Sequence, residues 1–495
     1  MIIAGIGVTV LAVVVIGIVV ARKVDGDSTN YLVAGRRLGV PLVGASLMAA
    51  AVDSNATVGN TDLTSLFGFW SGASLALGLA ICLLLTGLFL ARRLNGMGLY
   101  TLADYYRNRY GRGVEVAASV LMIFAFAILM AGNLVACGFL LEHFAGLPYW
   151  AGVVIAVTLV LIYTVGGGMF SDAYTAAVQI SITLVATAAL VIWFGTTIGF
   201  QVPEGMGPFD LEQLTSTDSG APINWATLIS LGIGDIVAID FMQRVFSART
   251  PQIARRACFT AAAGTAAIGV AFAMVALGSA AIGIDAADGP MLFTLLSDHA
   301  PVWLAVLVLS GIVAASFSTA SGAILATSAV AVRNIIGVRR VAPADGSYDP
   351  LLRWTRVAML PIVVVGTVIA LTVAQTGILL TLAFDLMLAC LAVPFLLGVF
   401  WKRGGTAAAI AAMTTGLVVR FGLFVLTPTI YGVPNDIAYI PNDLVPATFD
   451  GWPTIYGAIV SVVAYVVVAL VRPASASIEP EPEPEPEAEL EPAVA

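Results

Sequence analysis

Apolar residues recur in long runs along almost the whole chain, separated by short polar segments. A run of about 17 or more apolar residues can cross the hydrocarbon core of a bilayer as a helix. Thirteen such runs are predicted, at 2–21, 41–68, 71–91, 114–142, 149–165, 173–198, 224–246, 257–283, 302–330, 355–374, 377–400, 405–427 and 454–471. The pattern therefore predicts an all-α polytopic membrane protein with about thirteen transmembrane helices.

The second run is interrupted by polar residues where hydrocarbon is expected. Asp53, Asn55, Asn60 and Asp62 fall there, together with Gly59. An acid at the bilayer centre costs about 2.5–3.5 kcal/mol on insertion scales, so such residues face a bundle interior or a cavity. We therefore expect a broken helix whose unwound backbone lines an ion and solute site. The alternative is a polar seam between packed helices.

The seventh run carries a second interruption, which an inverted structural repeat would require. Gly232 and Gly234 are followed closely by Asp235 and Asp240. Glycine weakens a helix, and the two acids again need a polar surrounding. A second broken helix is predicted here, and the alternative is a glycine notch for close helix packing. Asp235, next to the glycines, is expected to face the solute, and Asp240 is expected to pair with Arg244.

The ninth run presents hydroxyl groups on one helix face. Ala315, Ser318 and Thr319 stand at i, i+3 and i+4, which places them on the same side. Two hydroxyls opposite an unwound, carbonyl-rich segment suit Na⁺, a hard cation that takes oxygen ligands. Small-residue helix packing explains the same composition equally well.

Composition excludes a soluble protein and offers no enzyme site. Hydrophobic residues make up 59% of the 495 positions, charged residues 11%, and mean hydropathy is +0.98. The Cys and His residues show no metal, redox or nucleophile–base spacing and are interpreted as ordinary packing or loop residues: Cys82, Cys137, Cys258, Cys390, His143 and His299. No enzymatic activity, organic cofactor, nucleic-acid partner or obligatory protein partner is expected.

The basic residues predict how the chain sits in a cell membrane. Of 22 Lys and Arg residues, 20 fall in one alternate set of loops or in the C-terminal flank, and Arg244 and Arg420 fall inside helices. Because cytoplasmic loops are rich in Lys and Arg, the N-terminus is predicted outside and the C-terminus in the cytoplasm. The Glu-Pro tail at 473–495 is predicted to be disordered and acidic.

Four stretches make the chain resemble the sodium/solute symporter family, closest to its choline-transporter branch. They are YLVAGRRLG at 31–39, YTVGGGMFSDAYTAAVQ at 163–179, QRVFSAR at 243–249 and AASFSTASGAILATSAVAVRN at 314–334. The resemblance continues to about residue 420. It implies a core of two inverted five-helix repeats at 41–200 and 201–401. The first helix and loop at 1–40 would precede this core, and two more helices at 402–472 would follow it.

The resemblance also implies a sodium site. Its ligands would be the side chains of Ser318 and Thr319 with the backbone carbonyls of Ala51, Ser54 and Ala315. Some relatives hold a second sodium through an acid at the position of Ala176. Gly322 replaces another hydroxyl ligand of that second site, so a single sodium is expected. Asp172, one turn before Ala176, is the alternative ligand for a second sodium.

The solute is expected to be small, polar and organic. The aromatic cage that recognises a quaternary ammonium is absent, because the cage tryptophans of the choline branch match Ala51 and Ala238. The predicted cavity residues are hydrogen-bonding and net acidic, which suits an amine or polyol better than a carboxylate: Asp53, Asn55, Asn60, Asp62, Asn133, Asp235, Asp240 and Asp385.

The sequence thus predicts sodium-coupled uptake of a solute by alternating access. One rival keeps the fold and uses protons, since buried acids can titrate when desolvated. Another is a sensor that binds the solute without transporting it. The predicted partners are the solute, sodium and the lipid bilayer.

Overall fold

The computed structural model describes residues 2–287, 289–340, 349–375 and 377–473, and within them the chain is almost entirely helical. The predicted acidic tail lies outside these residues from position 474 onward. The helices before the second break are α1 Ile2–Val20, α2 Ser28–Val33, α3 Val40–Ala51, α4 Asn60–Phe67, α5 Phe69–Leu85, α6 Ala91–Asn95, α7 Leu102–Tyr110, α8 Arg112–Ala145, α9 Tyr149–Thr197, α10 Glu212–Thr215 and α11 Ala221–Ile233.

The remaining helices are α12 Ile239–Ser247, α13 Pro251–Ala281, α14 Met291–Asp298, α15 Val302–Val330, α16 Pro350–Thr372, α17 Ile378–Met387, α18 Val393–Phe400, α19 Thr406–Leu426 and α20 Trp452–Val471. Strands β1 Thr429–Ile430 and β2 Val433–Pro434 form a short antiparallel hairpin between α19 and α20. Short 3₁₀ and π segments join several of the helices.

Ten helices in the described ranges are long and apolar enough to span a membrane, and the bent pair α11–α12 makes an eleventh. The chain is therefore a multi-pass helical membrane protein, as the apolar runs predicted. The exact number of thirteen stays a prediction, because it depends on how two irregular segments are counted. One is the interrupted segment α3–α4, whose helices are short, and the other is α9.

The helix α9 is irregular because its 49 residues include one with non-helical backbone angles, Gly168 (φ 51°, ψ −137°). At 1.5 Å per residue, 49 helical residues would extend roughly 74 Å, more than twice the ~30 Å hydrocarbon core. A Cβ atom on Gly168 would lie 2.4 Å from the carbonyl oxygen of Tyr31. Glycine is thus required at the break that separates the two predicted runs at 149–165 and 173–198.

The first predicted broken helix is observed. Helix α3 ends at Ala51, Val52 leaves the helical region (φ −101°, ψ 60°), and a π segment at Asn55–Gly59 leads into α4. Asp53 accepts a hydrogen bond from the backbone nitrogen of Ala56 at 3.0 Å. Asp and Asn side chains compete for backbone groups in this way, so they favour helix ends over helix interiors.

The second predicted broken helix is also observed. Helix α11 ends at Ile233, a 3₁₀ turn spans Gly234–Val237, and Ala238 is extended before α12 begins, with a bend of 49°. A Cβ on Gly234 would lie 2.3 Å from the carbonyl oxygen of Phe384. Glycine therefore allows the backbone of α17 to approach the break closely.

Helix α15 lies at the centre of the packing, against α1, α3, α8, α9 and α16. Near its end, Arg333 and Asn334 bind Asp104 of α7, with Arg333 Nε 2.9–3.0 Å from both carboxylate oxygens. Burial alone would raise the pKa of Asp104, but the charge of Arg333 and the hydrogen bond from Asn334 outweigh it and hold that pKa below its usual value. This cluster joins α7 and α8 to the end of α15.

Candidate functional site

One of the predicted sodium ligands, Thr319 of α15, contacts the end of α3. The hydroxyl of Thr319 donates to the carbonyl of Ala50 at 3.1 Å and contacts that of Ala315 at 3.4 Å. Ala51, Ser54, Ala315, Ser318 and Thr319 are all buried. The last carbonyls of a helix lack partners within that helix. A carbonyl-rich helix end therefore faces a hydroxyl-bearing helix, as the sequence pattern predicted.

The hydroxyl of Ser318 has no hydrogen-bond partner in the described part of the chain, although its residue is completely buried. Leaving a buried polar group unsatisfied costs about 1–3 kcal/mol. The neighbouring Ser316 differs, because its hydroxyl donates to the carbonyl of Ile312 at 2.9 Å. Ser318 thus has the free lone pairs that a sodium ligand needs, and the residues present fit the ion.

The polar residues of the first break bind one another. The carboxylate of Asp53 accepts from the side-chain amides of Asn55 at 2.9 Å and Asn133 at 2.7 Å. Asn133 lies on α8, and its amide oxygen accepts from Ser54 at 3.1 Å. The amide oxygen of Asn55 accepts from the backbone nitrogen of Gly377 at 3.2 Å. This network ties the unwound segment to α8 and to the start of α17.

Two further predicted solute residues of α4 bind neighbouring helices. The amide of Asn60 donates to the carbonyl of Gly269 on α13 at 2.9 Å. The carboxylate of Asp62 accepts from the backbone nitrogen of Met291, the first residue of α14, at 2.9 Å. These contacts hold α4, the second half of the first broken helix, against α13 and α14.

At the second break, Asp235 is completely buried, and neither of its oxygens has a hydrogen-bond partner within the described ranges. Its side chain lies beside the thiol of Cys82, so it is on the side of the break that packs against α5. The hydroxyl of Thr86, one turn from Cys82, is also buried beside this thiol. An unpaired acid is expensive in such a place.

Asp240 lies five residues later and belongs to a buried ion cluster. Arg244 is 2.8 Å from Asp240 and 3.1 Å from Asp172 of α9, and Asp172 also accepts from Ser321 of α15 at 2.8 Å. A Cβ on Gly322 would lie 2.6 Å from the guanidinium of Arg244. Gly322, which stands where a sodium-binding hydroxyl was expected, therefore leaves room for the guanidinium of Arg244.

The sequence predicts the Asp240–Arg244 ion pair, but not that Asp172 of α9 joins it. Asp172 was considered as a substitute sodium ligand, and the structure instead pairs it with a fixed cation. The signal was an arginine inside an apolar helix, four residues after an acid.

Asp385 is separate from both breaks. Its carboxylate forms an ion pair with Arg420 of α19, close to the hairpin residue Tyr431. Of the eight predicted solute residues, Asp53, Asn55 and Asn133 come together at the first break, and Asp235 lies at the second. Asn60, Asp62 and Asp385 contact other helices, and Asp240 pairs with Arg244 of its own helix α12. Their roles toward a solute stay predictions.

Comparisons with known proteins agree with this arrangement. The family model described as "Sodium:solute symporter family" matches residues 31–416. The high-affinity choline transporter 1 of Caenorhabditis elegans is 24% identical over 79% of this chain and 70% of its own length. The osmoregulated proline transporter OpuE of Bacillus subtilis is 26% identical over 96% of each chain.

Among solved structures, a Na⁺-coupled sialic acid symporter in a substrate-bound outward-open state superposes with a TM-score of 0.78. The match covers 96% of this chain and 98% of that one at 18% sequence identity, so it supports the fold alone. The family model covers well over half of the sequence, including both breaks and the hydroxyl-bearing helix. The chain belongs to the sodium:solute symporter family, the sodium-coupled transporters of small solutes.

Proposed function

We propose that this protein imports a small polar organic solute bearing a positive charge, together with one Na⁺, by alternating access. The observation that carries the proposal is the buried, unpartnered hydroxyl of Ser318 beside the end of α3. In this proposal Na⁺ bridges α15 and the first broken helix and so stabilises one of the two access states. Each charge that enters gains about 2.3 kcal/mol per 100 mV of membrane potential.

The sodium ligands in this proposal are the Ser318 and Thr319 hydroxyls with the carbonyls of Ala51, Ser54 and Ala315. Ser318→Ala removes one ligand, and we expect the sodium concentration for half-maximal uptake to rise at least tenfold, equivalent to about 1.4 kcal/mol. Solute binding at saturating sodium should survive.

Ser316→Ala is the matched control, because the Ser316 hydroxyl is bonded within its own helix. Uptake by proteoliposomes over a range of sodium concentrations measures the difference. An unchanged sodium dependence in Ser318→Ala would mean that this hydroxyl only packs between helices.

The positive charge of the solute is proposed from Asp235. Asp53 has three donors and Asp240 has Arg244, whereas the only donor beside Asp235 in the described ranges is the weak thiol of Cys82. The relatives named as choline and proline transporters both act on molecules that carry a cationic nitrogen. An aromatic cage is missing at Ala51 and Ala238, which favours a protonated amine over a quaternary one.

A thermal-shift screen of purified protein against amines, amino acids and polyols, with and without sodium, tests the solute class. A hit is then tested by its protection of Cys82, which lies beside Asp235. In a variant with Cys137, Cys258 and Cys390 replaced by Ala, a bound solute should slow thiol labelling of Cys82 severalfold. A solute that stabilises the protein without protecting Cys82 would argue against Asp235 as its contact.

The same unpartnered acid favours one second candidate, a proton-coupled transporter of the same fold. Uptake driven by a pH gradient without sodium, and abolished by Asp235→Asn, would support it. Sodium-dependent uptake with no response to a pH gradient would reject it.

The proposed topology places the N-terminus outside and the C-terminus in the cytoplasm of the cell membrane, with thirteen spans and two five-helix repeats at 41–200 and 201–401. It is supported by the arginine-rich alternate loops. Single cysteines at 200–223 and 429–450 should react with an impermeant reagent on sealed cells, and a cysteine at Arg256 should not. Labelling at Arg256 would reverse the orientation.

A further inference from the structure

A groove of about 640 Å³ opens where three separated segments of the chain meet. Its walls come from the residues after α1, from the start of α3 and from the part of α9 that follows Gly168. Arg22, Lys23 and Arg37 supply its positive charge, and Leu42 and Phe170 supply apolar surface. None of these residues belongs to the proposed sodium or solute sites.

The groove keeps a net positive charge. Its three basic side chains are exposed, and Asp25 is its only acidic lining residue. The nearby Asp27 is already bound to Arg340 at 2.7 Å and accepts from Asn30. Lys23 is positioned by Tyr174, with its ammonium 2.7 Å from the phenol oxygen and 4.2 Å from the ring centre. The groove therefore offers a double positive charge with one ammonium held in place.

The groove also lies at the depth of lipid headgroups. Arg22 and Lys23 fall at the end of the apolar span Ile2–Val24, where a spanning helix leaves the hydrocarbon. Basic pockets between transmembrane helices at this level bind anionic headgroups, and an apolar wall below the charges suits the start of the acyl chains. A free anion would use the charges but not this wall.

We propose that this groove binds the headgroup of an anionic phospholipid. The bound lipid would contact the start of α3 directly and would be linked to the end of α12 through Leu38. Leu38 lines the groove, receives a hydrogen bond at its carbonyl from Arg249 at 3.0 Å and donates to the carbonyl of Ser247 at 3.2 Å. Ser247 is the last residue of α12, and Leu38 lies two residues before α3. Lipid occupancy is thereby linked to the ends of α3 and α12.

The test measures binding of phosphatidylglycerol to the full-length protein in detergent by native mass spectrometry, with phosphatidylcholine as the uncharged comparison. Wild type should retain phosphatidylglycerol selectively. Arg22→Gln with Arg37→Gln should weaken its binding at least tenfold, since each basic residue contributes several-fold to anionic-lipid affinity. Arg92→Gln with Arg256→Gln removes the same charge outside the groove and should change binding less than threefold.

Asp25→Asn provides a variant in the opposite direction, because removing the only lining acid should tighten binding severalfold. Equal lipid binding in wild type, the groove variant and Asp25→Asn would overturn the proposal. Competition by glycerol phosphate at the concentration of the lipid would also overturn it, since the site would then bind the anion without the acyl chains. The proposal would also be wrong if the variant with Arg22→Gln and Arg37→Gln retained phosphatidylglycerol. An unchanged melting temperature would show that this variant is well folded.

Discussion

The two broken helices interrupt the same kind of apolar segment, but their acids are in opposite situations. Asp53 accepts three hydrogen bonds at the first break, from Asn55, Ala56 and Asn133. Asp235 accepts none from a nitrogen or a hydroxyl in the described ranges at the second break, and has only the thiol of Cys82 beside it. Both side chains are buried. The hydrogen bonds of the carboxylate at the first break are therefore satisfied within the break, whereas the carboxylate at the second break lacks strong donors.

The difference separates two tasks that a symporter has to combine. A sodium site needs backbone carbonyls held in fixed positions, and the network around Asp53 fixes the segment that carries Ala51 and Ser54. A solute site needs polar groups that have no internal partner, because a ligand then gains their hydrogen bonds in full. Asp235 meets that condition, and Asp53 does not.

The largest expected effect comes from making the same substitution at both breaks. Asp53→Asn replaces one of the two carboxylate oxygens with an amide donor, so at least one of the three existing donors loses its acceptor. Neither Asn55 nor Asn133 can turn its amide without cost, because each uses its oxygen to accept another bond. We expect a loss of about 2–4 kcal/mol of stability and a melting temperature lower by roughly 5–10 °C, with transport abolished.

Asp235→Asn, in contrast, removes a buried charge that has no partner. We expect a melting temperature within about 2 °C of wild type and solute affinity reduced at least tenfold, with sodium affinity retained. Thermal unfolding and sodium-dependent solute binding on the two purified variants measure both quantities. A stable Asp53→Asn together with an unstable Asp235→Asn would invert the comparison.

The sequence predicted the positions of both breaks and the pairing of Asp240 with Arg244, but not that Asp53 would accept three hydrogen bonds. Broken helices could be predicted because glycines, acids and amides within an apolar run leave few other structures. Ser318 and Thr319 could be placed toward the first break because a helix has a fixed period. The partners of the acids depend on which helices are neighbours, and a one-dimensional pattern does not contain that information.

Asp385 and Asp240 show how far the partner of a buried acid can be predicted from the sequence. Both were grouped with the cavity residues because both are acids in apolar segments. Their partners are Arg420 and Arg244, and only the second of these pairs lies at helical i, i+4 spacing. Asp385 and Arg420 are 35 residues apart on different helices, so their pairing could not be read from local spacing.

A smaller effect is expected at Asp240 of the second broken helix, because this acid is paired with Arg244. Asp240→Asn weakens the bond to Arg244 but leaves Asp172 to compensate the guanidinium. We expect about 1–3 kcal/mol of lost stability and solute affinity within threefold of wild type. The same unfolding and binding measurements apply. Loss of solute binding in a stably folded Asp240→Asn protein would move the solute contact from Asp235 to Asp240.

The smallest effect is expected at Asp62 on α4, in the second half of the first broken helix. Asp62 accepts from the backbone nitrogen of Met291 and so satisfies the first turn of α14. Asp62→Ala leaves that nitrogen without its acceptor, which typically costs about 1 kcal/mol at a helix start. We expect faster amide hydrogen exchange confined to the first turn of α14, and sodium affinity close to that of wild type. Asp62→Asn is the matched control, because its amide oxygen can still accept the bond and should restore slow exchange. If both variants exchange as slowly as wild type, the Asp62–Met291 contact does not stabilise α14. Asn60 would then be the last residue of the first broken helix whose side chain holds it against a neighbouring helix.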